Sequence, residues 1–238
     1  MFDSKKYGVF FNGHHSSEFG LIALENKKVE MPEKNKVLVD LPFANHQLDL
    51  STIYGDQVYK ERKYTQKFHL QADQYDKEGL YRLWTQVVNW LMDPATKTPL
   101  FDDVMHRYYY LAEVQKPPEY DEMLHWGTLT VEWTCYPFRI SSIPEGDDDW
   151  DTFDFDFDIA QDVSYQVDGM VTLSLYNVGA STADIVVDCT APMTISIGGK
   201  IFTVPAGKSK GIPLFKGKNN VTVWGSGRID FIFYKELI

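Results

Sequence analysis

Residues 127–138 read GTLTVEWTCYPF. In an extended chain Leu129, Val131, Trp133 and Cys135 fall on one face and Thr128, Thr130, Glu132 and Thr134 on the other, because successive side chains of a strand point to opposite sides. That alternation describes a strand with one face in a core and the other half solvated. Pro137 ends it, having no N–H to give to a ladder.

Upstream the texture is mixed. Residues 107–114 form a tyrosine-rich strand, and residues 64–71, YTQKFHLQ, alternate again. Between them lies one helix, in which Leu80, Leu83, Trp84, Val87, Val88 and Leu91 recur as a single stripe at a 3.6-residue period. Asp76 is its expected cap and Asp93-Pro94 its stop. Residues 37–50, VLVDLPFANHQLDL, read as a hairpin, with Pro42 marking an edge strand. YGVFF at 7–11 is a short strand before the turn signal Asn12-Gly13.

Downstream of about residue 140 helical periodicity disappears. Val171, Leu173 and Leu175 share a face, followed by Ile185/Val187, Ile195/Ile197, residues 201–204, Val221/Val223 and Ile229/Phe231/Phe233. Breaks are expected at 177–179, 198–199, 205–207, 217–220 and 225–227. Short strands at this spacing predict a β-sandwich or jelly roll. The boundary is placed in SSIPEGDDD, giving domains over 1–140 and 141–238.

The chain has 238 residues, 44% apolar and 24% charged, with a high aromatic share of 15% that leans towards strands and assembly surfaces. No apolar run reaches the roughly 20 residues a membrane helix requires, and the first residues lack a secretory pattern, so a cytoplasmic site of folding is expected. Cys135 and Cys189 are expected as separate buried thiols. The net charge of −11 argues against a nucleic-acid-coating surface. Ten acids and no Lys or Arg lie between Glu145 and Asp168, so the rest of the chain sums to −1 (−11 + 10).

That acidity centres on DDDWDTFDFDFD, residues 147–158. Asp147, Asp149 and Asp151 match the first positions of a calcium loop, but Thr152 stands where glycine is required and Asp158 where a glutamate is. A specific cation site is not expected. Phe153, Phe155 and Phe157 alternate with Asp154, Asp156 and Asp158, which predicts the first strand of the second domain, phenylalanines in and aspartates out. No catalytic motif stands out: there is no GxSxG, P-loop, HExxH or CxxC, and the six histidines are scattered. A wall hydrolase using carboxylates of the acidic stretch is the weakest reading, since a solvated run of like acids does not push pKa values apart. No catalytic residue, metal or cofactor is assigned. Trp150 and Trp224 are candidate platforms for a sugar or partner, although the strand pattern around Trp224 predicts a core position.

The order of segments is similar to that of siphophage distal tail proteins, the Dit family. It is carried by GVFFNGHHSSEFGLI, VLVDLPFANHQLDLS, GDQVYKERKYTQKFHLQ, VVNWLMD, HRYYYLAEVQ, GTLTVEWTCYPF and the C-terminal YNVGASTADIVVDC…ISIGGKIFTV…KGKNNVTVWGSG. The turn at 43–46 departs from the pattern by lacking a glycine, and the acidic stretch is denser than the pattern requires. The resemblance implies a mainly β protein. An N-terminal β-sandwich or split-barrel-like domain with one α-helix would precede a galectin-like or jelly-roll β-sandwich. It implies a virion structural protein of a long non-contractile tail, assembled in the host cytoplasm and not an enzyme. It would form a hexameric ring joining the tail tube protein to a tail-associated hub or lysin protein, with a receptor-binding protein or host cell-wall saccharide as further partners. A carbohydrate- or receptor-binding module acting through the C-terminal sandwich is the alternative. The resemblance also implies that a hairpin over 38–59 reaches the neighbouring subunit, which makes Leu41, Pro42, Phe43, His46, Leu48, Tyr54 and Tyr59 the candidate interface residues.

Overall fold

The structure, a computed structural model, describes residues 7–53, 55–71, 77–123, 126–147, 151 and 153–238. It is mainly β, with a single α-helix among the described residues. The chain divides into two compact units, Met1–Arg139 with Ile238, and Ile140–Leu237.

In the first unit the strands are β1 (Val9–Phe11), β2 (His14–His15), β3 (Ile22–Ala23), β4 (Lys28–Val29), β5 (Leu38–Asp40), β6 (Gln47–Asp49), β7 (Arg62–Gln71), β8 (Thr98–Asp102), β9 (Tyr108–Glu113), β10 (Glu119–Glu122) and β11 (Trp126–Cys135), with helix α1 (Lys77–Met92) after β7. The sheet runs β2-β1-β8-β9-β11-β7-β3. One edge of β11 is paired with β7 along its whole length, from Trp126↔Gln71 to Cys135↔Arg62. Its other edge is shared, with β10 beside its first half and β9 beside its end. The outer edge of β7 is shared the same way, by β3 and then β4. Each long strand therefore bridges two partners in succession, and the sheet curls.

The alternation expected for 127–138 holds. Leu129, Val131, Trp133 and Cys135 are buried, and the threonine face is half-exposed. Trp133 is the hub of the core, packing edge-on to Phe11, Tyr64 and Phe68 with ring centroids 6.1, 5.6 and 6.4 Å away. On β7 the inward positions are Arg62, Tyr64, Gln66, Phe68 and Leu70. The two polar side chains there are satisfied by backbone carbonyls, as buried polar groups must be. Arg62 Nε donates to Glu30 O (2.8 Å) and Nη1 to Pro137 O (3.0 Å), and Gln66 Nε2 donates to Leu24 O (2.8 Å).

Helix α1 buries Leu80, Val87 and Leu91 of the expected stripe, with Leu83 and Trp84 packed against the core and Val88 half-buried. Trp90, not counted in that stripe, is buried too: its Nε1 donates to Phe11 O (2.8 Å) and its ring stacks on Phe19 at 4.7 Å. The helix ends at Met92, before Asp93-Pro94; the expected cap, Asp76, lies outside the described residues. At Asn12 and Gly13 φ is 43° and 79°, the left-handed pair that turns β1 into β2.

In the second unit the strands are β12 (Arg139–Ser141), β13 (Ser164–Asn177), β14 (Ala183–Cys189), β15 (Met193–Ile197), β16 (Lys200–Val204), β17 (Gly207–Leu214), β18 (Gly217–Ile232) and β19 (Glu236–Leu237). The main sheet runs β16-β15-β18-β14-β17, with β13 also on β18. Strand β18 pairs with β13 from Gly217↔Asn177 to Asp230↔Ser164. Its other edge is taken by β15 as far as Trp224 and by β14 from Ile229.

The expected break at 225–227 is not a turn. Gly225 and Gly227 lie inside β18, at φ 151° and 134°, where the strand passes from one partner to the next. Both sit at inward positions of an alternation that runs through Val221, Val223, Ile229 and Phe231. A Cβ at Gly225 would stand 2.8 Å from Met193 Cγ and one at Gly227 2.5 Å from Thr190 Oγ1. Thr190 Oγ1 accepts from Arg228 N (2.9 Å) and so closes the gap between the two partner strands. The expected break at 217–220 is likewise the start of β18, and the chain turns at 215–216. There buried Asn219 accepts from Phe215 N (3.0 Å) and donates to Phe215 O (2.6 Å). Strand β17 was not anticipated: it has Gly211 at φ 83° beside a bulge and Pro213 in an edge strand, where proline is tolerated.

The predicted strand Phe153–Asp158 is also corrected. Residues 155–157 form a turn, with Phe155 81% and Phe157 49% exposed. Asp156 N donates to Asp154 Oδ1 (3.0 Å), Asp158 N to Asp154 O (2.8 Å) and Asp154 N to Asp158 Oδ2 (2.7 Å). Aspartate's side chain competes for nearby backbone N–H groups and stabilises a turn over a strand. Perfect alternation was not enough against that competition.

Adding a methyl at Gly225 or Gly227 is expected to destabilise the protein by about 1–3 kcal/mol in urea denaturation. Gly199→Ala, at φ 76° with nothing within 4 Å, isolates the cost of the backbone alone and is expected to cost less. Equal losses at the three positions would show that close packing at the bend is not the cause.

Candidate functional site

The segment implied to reach a neighbour forms an arm. Strands β5 and β6 pair only with each other, Leu38↔Asp49, Val39↔Leu48 and Asp40↔Gln47, in a two-stranded sheet of their own. Its root is tied by the Lys34↔Tyr59 bridge and by hydrogen bonds from Asn35 N to Val58 O (2.8 Å) and from Leu50 N to Val37 O (2.9 Å).

The register sorts the arm's side chains into two faces. Val37, Val39 and Leu41 share a face with Leu48 and Leu50, while Lys36, Leu38 and Asp40 share the other with Gln47 and Asp49. The second face is knitted by Lys36–Asp49 (2.7 Å) and by Gln47 Nε2 donating to Asp40 Oδ1 (2.8 Å). Lys36 first, then Ser51, holds the Asp49 carboxyl well below the usual range. The first face has no such reason to stay in water. Val37, Val39, Leu41 and Leu48 are all exposed, and Ile53 and Val58 extend the apolar surface towards the root. So many exposed apolar side chains on one arm are unusual for an isolated subunit, and a lone hairpin is only marginally stable in water.

At the tip Pro42, Phe43 and His46 are exposed. Phe43 adopts φ 64° at the turn that lacks a glycine. A bulky residue in the left-handed region is strained, and its ring is fully solvent-exposed. Tyr59 sits apart from the other interface candidates: it is half-buried at the root, edge-on to Phe138 at 5.3 Å. Tyr54 lies outside the described residues.

The carboxylates of the acidic segment are not all turned to water. Lys235, only 4% exposed, forms ion pairs with Asp158 and with Glu145 (3.6 Å), two carboxylates drawn from either end of the acidic segment. Burial, the dominant cause, raises the Glu145 pKa and lowers that of Lys235, while their mutual attraction opposes both shifts. Sequence reading missed this because Lys235 stands far along the chain from the acids it balances. Trp150 and residues 148–149 lie outside the described residues. Trp224 was expected in the core, but it takes an outward position on β18 and is 39% exposed. Cys135 and Cys189 are separate buried thiols as expected, and burial pushes Cys135 up to about 12. Among the described residues no cluster of His, Cys, Asp and Glu is arranged to hold a metal. His15 instead accepts from Ser17 N at the start of a short 3-10 turn, and its other ring nitrogen faces Asp103 at 3.1 Å.

The geometry defines a class: a β-rich subunit with two curled units and an amphipathic arm held clear of its own core. The same fold occurs in the hub of a phage adsorption apparatus. Over 98% of its length the chain superposes on the whole of the SPP1 Dit protein (gp 19.1), described as a paradigm of the hub adsorption apparatus in phages infecting Gram-positive hosts, with a TM-score of 0.64 and 9% sequence identity. In fold the chain is Dit-like. No protein-family model matches the sequence, and no curated protein is significantly similar to it.

Lys235→Met is expected to cost about 3 kcal/mol or more at neutral pH, because removing one partner leaves buried carboxylates uncompensated. A raised Glu145 pKa means that its neutral form suits the fold, so lowering the pH through that pKa is expected to narrow the deficit. Urea denaturation at pH 7 and at about pH 4 measures both effects; a deficit that does not shrink in acid would point to lost packing instead.

Proposed function

We propose that the protein is a structural hub of a long non-contractile phage tail. The reading is that it assembles as a hexameric ring linking the tail tube to the tail tip and its receptor-binding apparatus. The observation that carries it is the arm: an apolar face of Val37, Val39, Leu41 and Leu48 that the subunit leaves uncovered, in a chain with the fold of a phage hub protein. Each arm would lay this face on the next copy, and closed cyclic symmetry would cover every arm once. Leu41, Pro42, Phe43, His46 and Leu48 form the contact in this reading, and Tyr59 fixes the root. The partners are the tail tube protein, a tail-associated hub or lysin protein, and a receptor-binding protein. The protein acts in the virion tail tip after assembly in the host cytoplasm, as a structural component and not as an enzyme.

Purified protein is expected to show six-fold rings by negative-stain microscopy and a hexameric mass by light scattering. Val39→Ser with Leu48→Ser, which removes the apolar face without placing like charges opposite each other, is expected to disperse the rings into monomers that keep the wild-type circular dichroism, since both side chains are exposed in the subunit. Rings that survive the double substitution would remove the arm from the interface. A strictly monomeric wild type, alone and mixed with tail tube protein, would remove the hub reading.

A further inference from the structure

A cavity of about 190 Å³ opens on the first unit, and no residue of the arm lines it. Its lining includes Tyr108 and Tyr110, which share the inward face of β9. A guanidinium lies over each ring: Arg139 is 6.0 Å from Tyr108, and Arg62 is 5.3 Å from Tyr110. Met31, Val104 and Met105 line the cavity as well, and all three are exposed. The lining therefore passes from an apolar rim to buried rings and cations.

Neither guanidinium meets a carboxyl side chain among the described residues. Arg62 is 3% exposed; its Nε and Nη1 donate to carbonyls, but Nη2 meets only the Met31 sulfur, a weak acceptor, at 3.5 Å. Arg139 Nη2 donates to Ile238 O (2.8 Å) and Nη1 reaches Met105 Sδ (2.9 Å), while its Nε is buried and has no partner among the described residues. A buried donor without an acceptor is costly. Asp102, the one carboxyl side chain of the lining, is already engaged: Oδ2 accepts from Lys27 and from Tyr64 Oη (3.1 Å), and Oδ1 from Val104 N (3.0 Å). Burial, and the Arg139 charge with it, lower the Arg62 pKa.

From this we infer that the cavity binds a carboxylate carried on an apolar stem. A carboxylate would give the idle arginine N–H groups the acceptor they lack, through charge-assisted hydrogen bonds. The stem would lie against the tyrosine rings and the methionines; a cavity of about 150 Å³ already admits a benzene ring. Pockets that pair an apolar wall with a few fixed polar groups are the usual form of a small-ligand site. A phosphate fits less well, because its three strong acceptor oxygens exceed the few donors left idle here. A free organic acid and an acidic side chain of a second copy present the same group. The exposed turn Phe155-Asp156-Phe157 is such a carboxylate between two apolar stems. The case rests on the cavity and does not depend on ring assembly.

The test is ligand-observed NMR on the full chain with phenylacetate, its neutral counterpart phenylacetamide, benzylphosphonate, and acetyl-Phe-Asp-Phe-amide as the protein-borne carboxylate. Titrations then follow the arginine Nε–H resonances. Phenylacetate or the peptide is expected to bind at least tenfold more tightly than the amide and to move the Arg139 Nε–H resonance. Arg139→Gln is expected to weaken binding tenfold or more, and Arg139→Lys, which keeps the charge but loses the planar fork, severalfold. Arg228→Gln, in the second unit, is expected to leave binding unchanged. Tighter binding of the peptide would assign the carboxylate to a protein, and tighter binding of phenylacetate to a free acid; either supports the site. Equal binding of acid and amide, tighter binding of the phosphonate, or no binding of any carboxylate at millimolar concentration would each overturn the proposal. So would Arg139→Gln protein that binds as wild type. The comparison of acid with amide uses wild type alone, so it decides the matter even where Arg139→Gln lowers the melting temperature.

Discussion

Both units depend on one constraint: a long strand must keep the same side chains facing inward while the partner on its edge changes. Period two is rigid, and a slip of one residue would turn a whole apolar face to water. Strand β11 meets the constraint with uninterrupted pairing to β7, so β10 and β9 follow each other along its free edge without disturbing the parity of Leu129, Val131, Trp133 and Cys135. Strand β18 meets it with glycine. At Gly225 and Gly227 the strand bends, yet Val223 and Ile229 on either side remain buried in the same cluster. Removing side chains at the bend preserves parity and makes room for Met193 at the start of β15 and for Thr190 in the connection before it.

What the sequence made legible follows from how local each signal is. The alternation at 127–135 and the helical stripe at 80–91 are decided by burial of one face, and they appear as written. The glycines at 225–227 carry the same letters as a turn, because a bend inside a strand and a break between strands ask for the same freedom of φ. Residues 153–158 alternate perfectly but obey their aspartates, whose carboxylates bind the local backbone. Strand β17 lacks alternation because a bulge and a proline interrupt it at an edge. Trp90 shows a different limit. Three residues past Val87 and seven past Leu83, it lies on the same buried side of the helix, and what the period does not name is its partner, Phe11 O, to which its indole N–H donates. At the arm, the hairpin was legible and its sidedness was latent in the register, but that nothing in the subunit covers the apolar side is a property of the fold alone.

The buried cations divide by how they are balanced. Arg62 is desolvated among carbonyls and lies 5.3 Å from the Tyr110 ring, where delocalised charge and a π-face replace a carboxylate. Lys235, a compact charge, takes carboxylates. The acidic segment is therefore not a uniform skin of charge: its two ends are drawn inward by one lysine, while Phe155 between them faces water.

The pairing of β13 with β18 also sets an order of events. Strand β13 leaves the ribosome well before the strand that pairs along its full length, and Lys235 follows later still. Until then Val171, Leu173 and Leu175 have no ladder partner, and Glu145 and Asp158 remain hydrated. Contacts so distant in sequence make folding slow, and an unpaired apolar strand invites association with other chains. The dense negative charge just upstream of β13 then acquires a second use, as repulsion between nascent copies during the interval when the second unit cannot yet close.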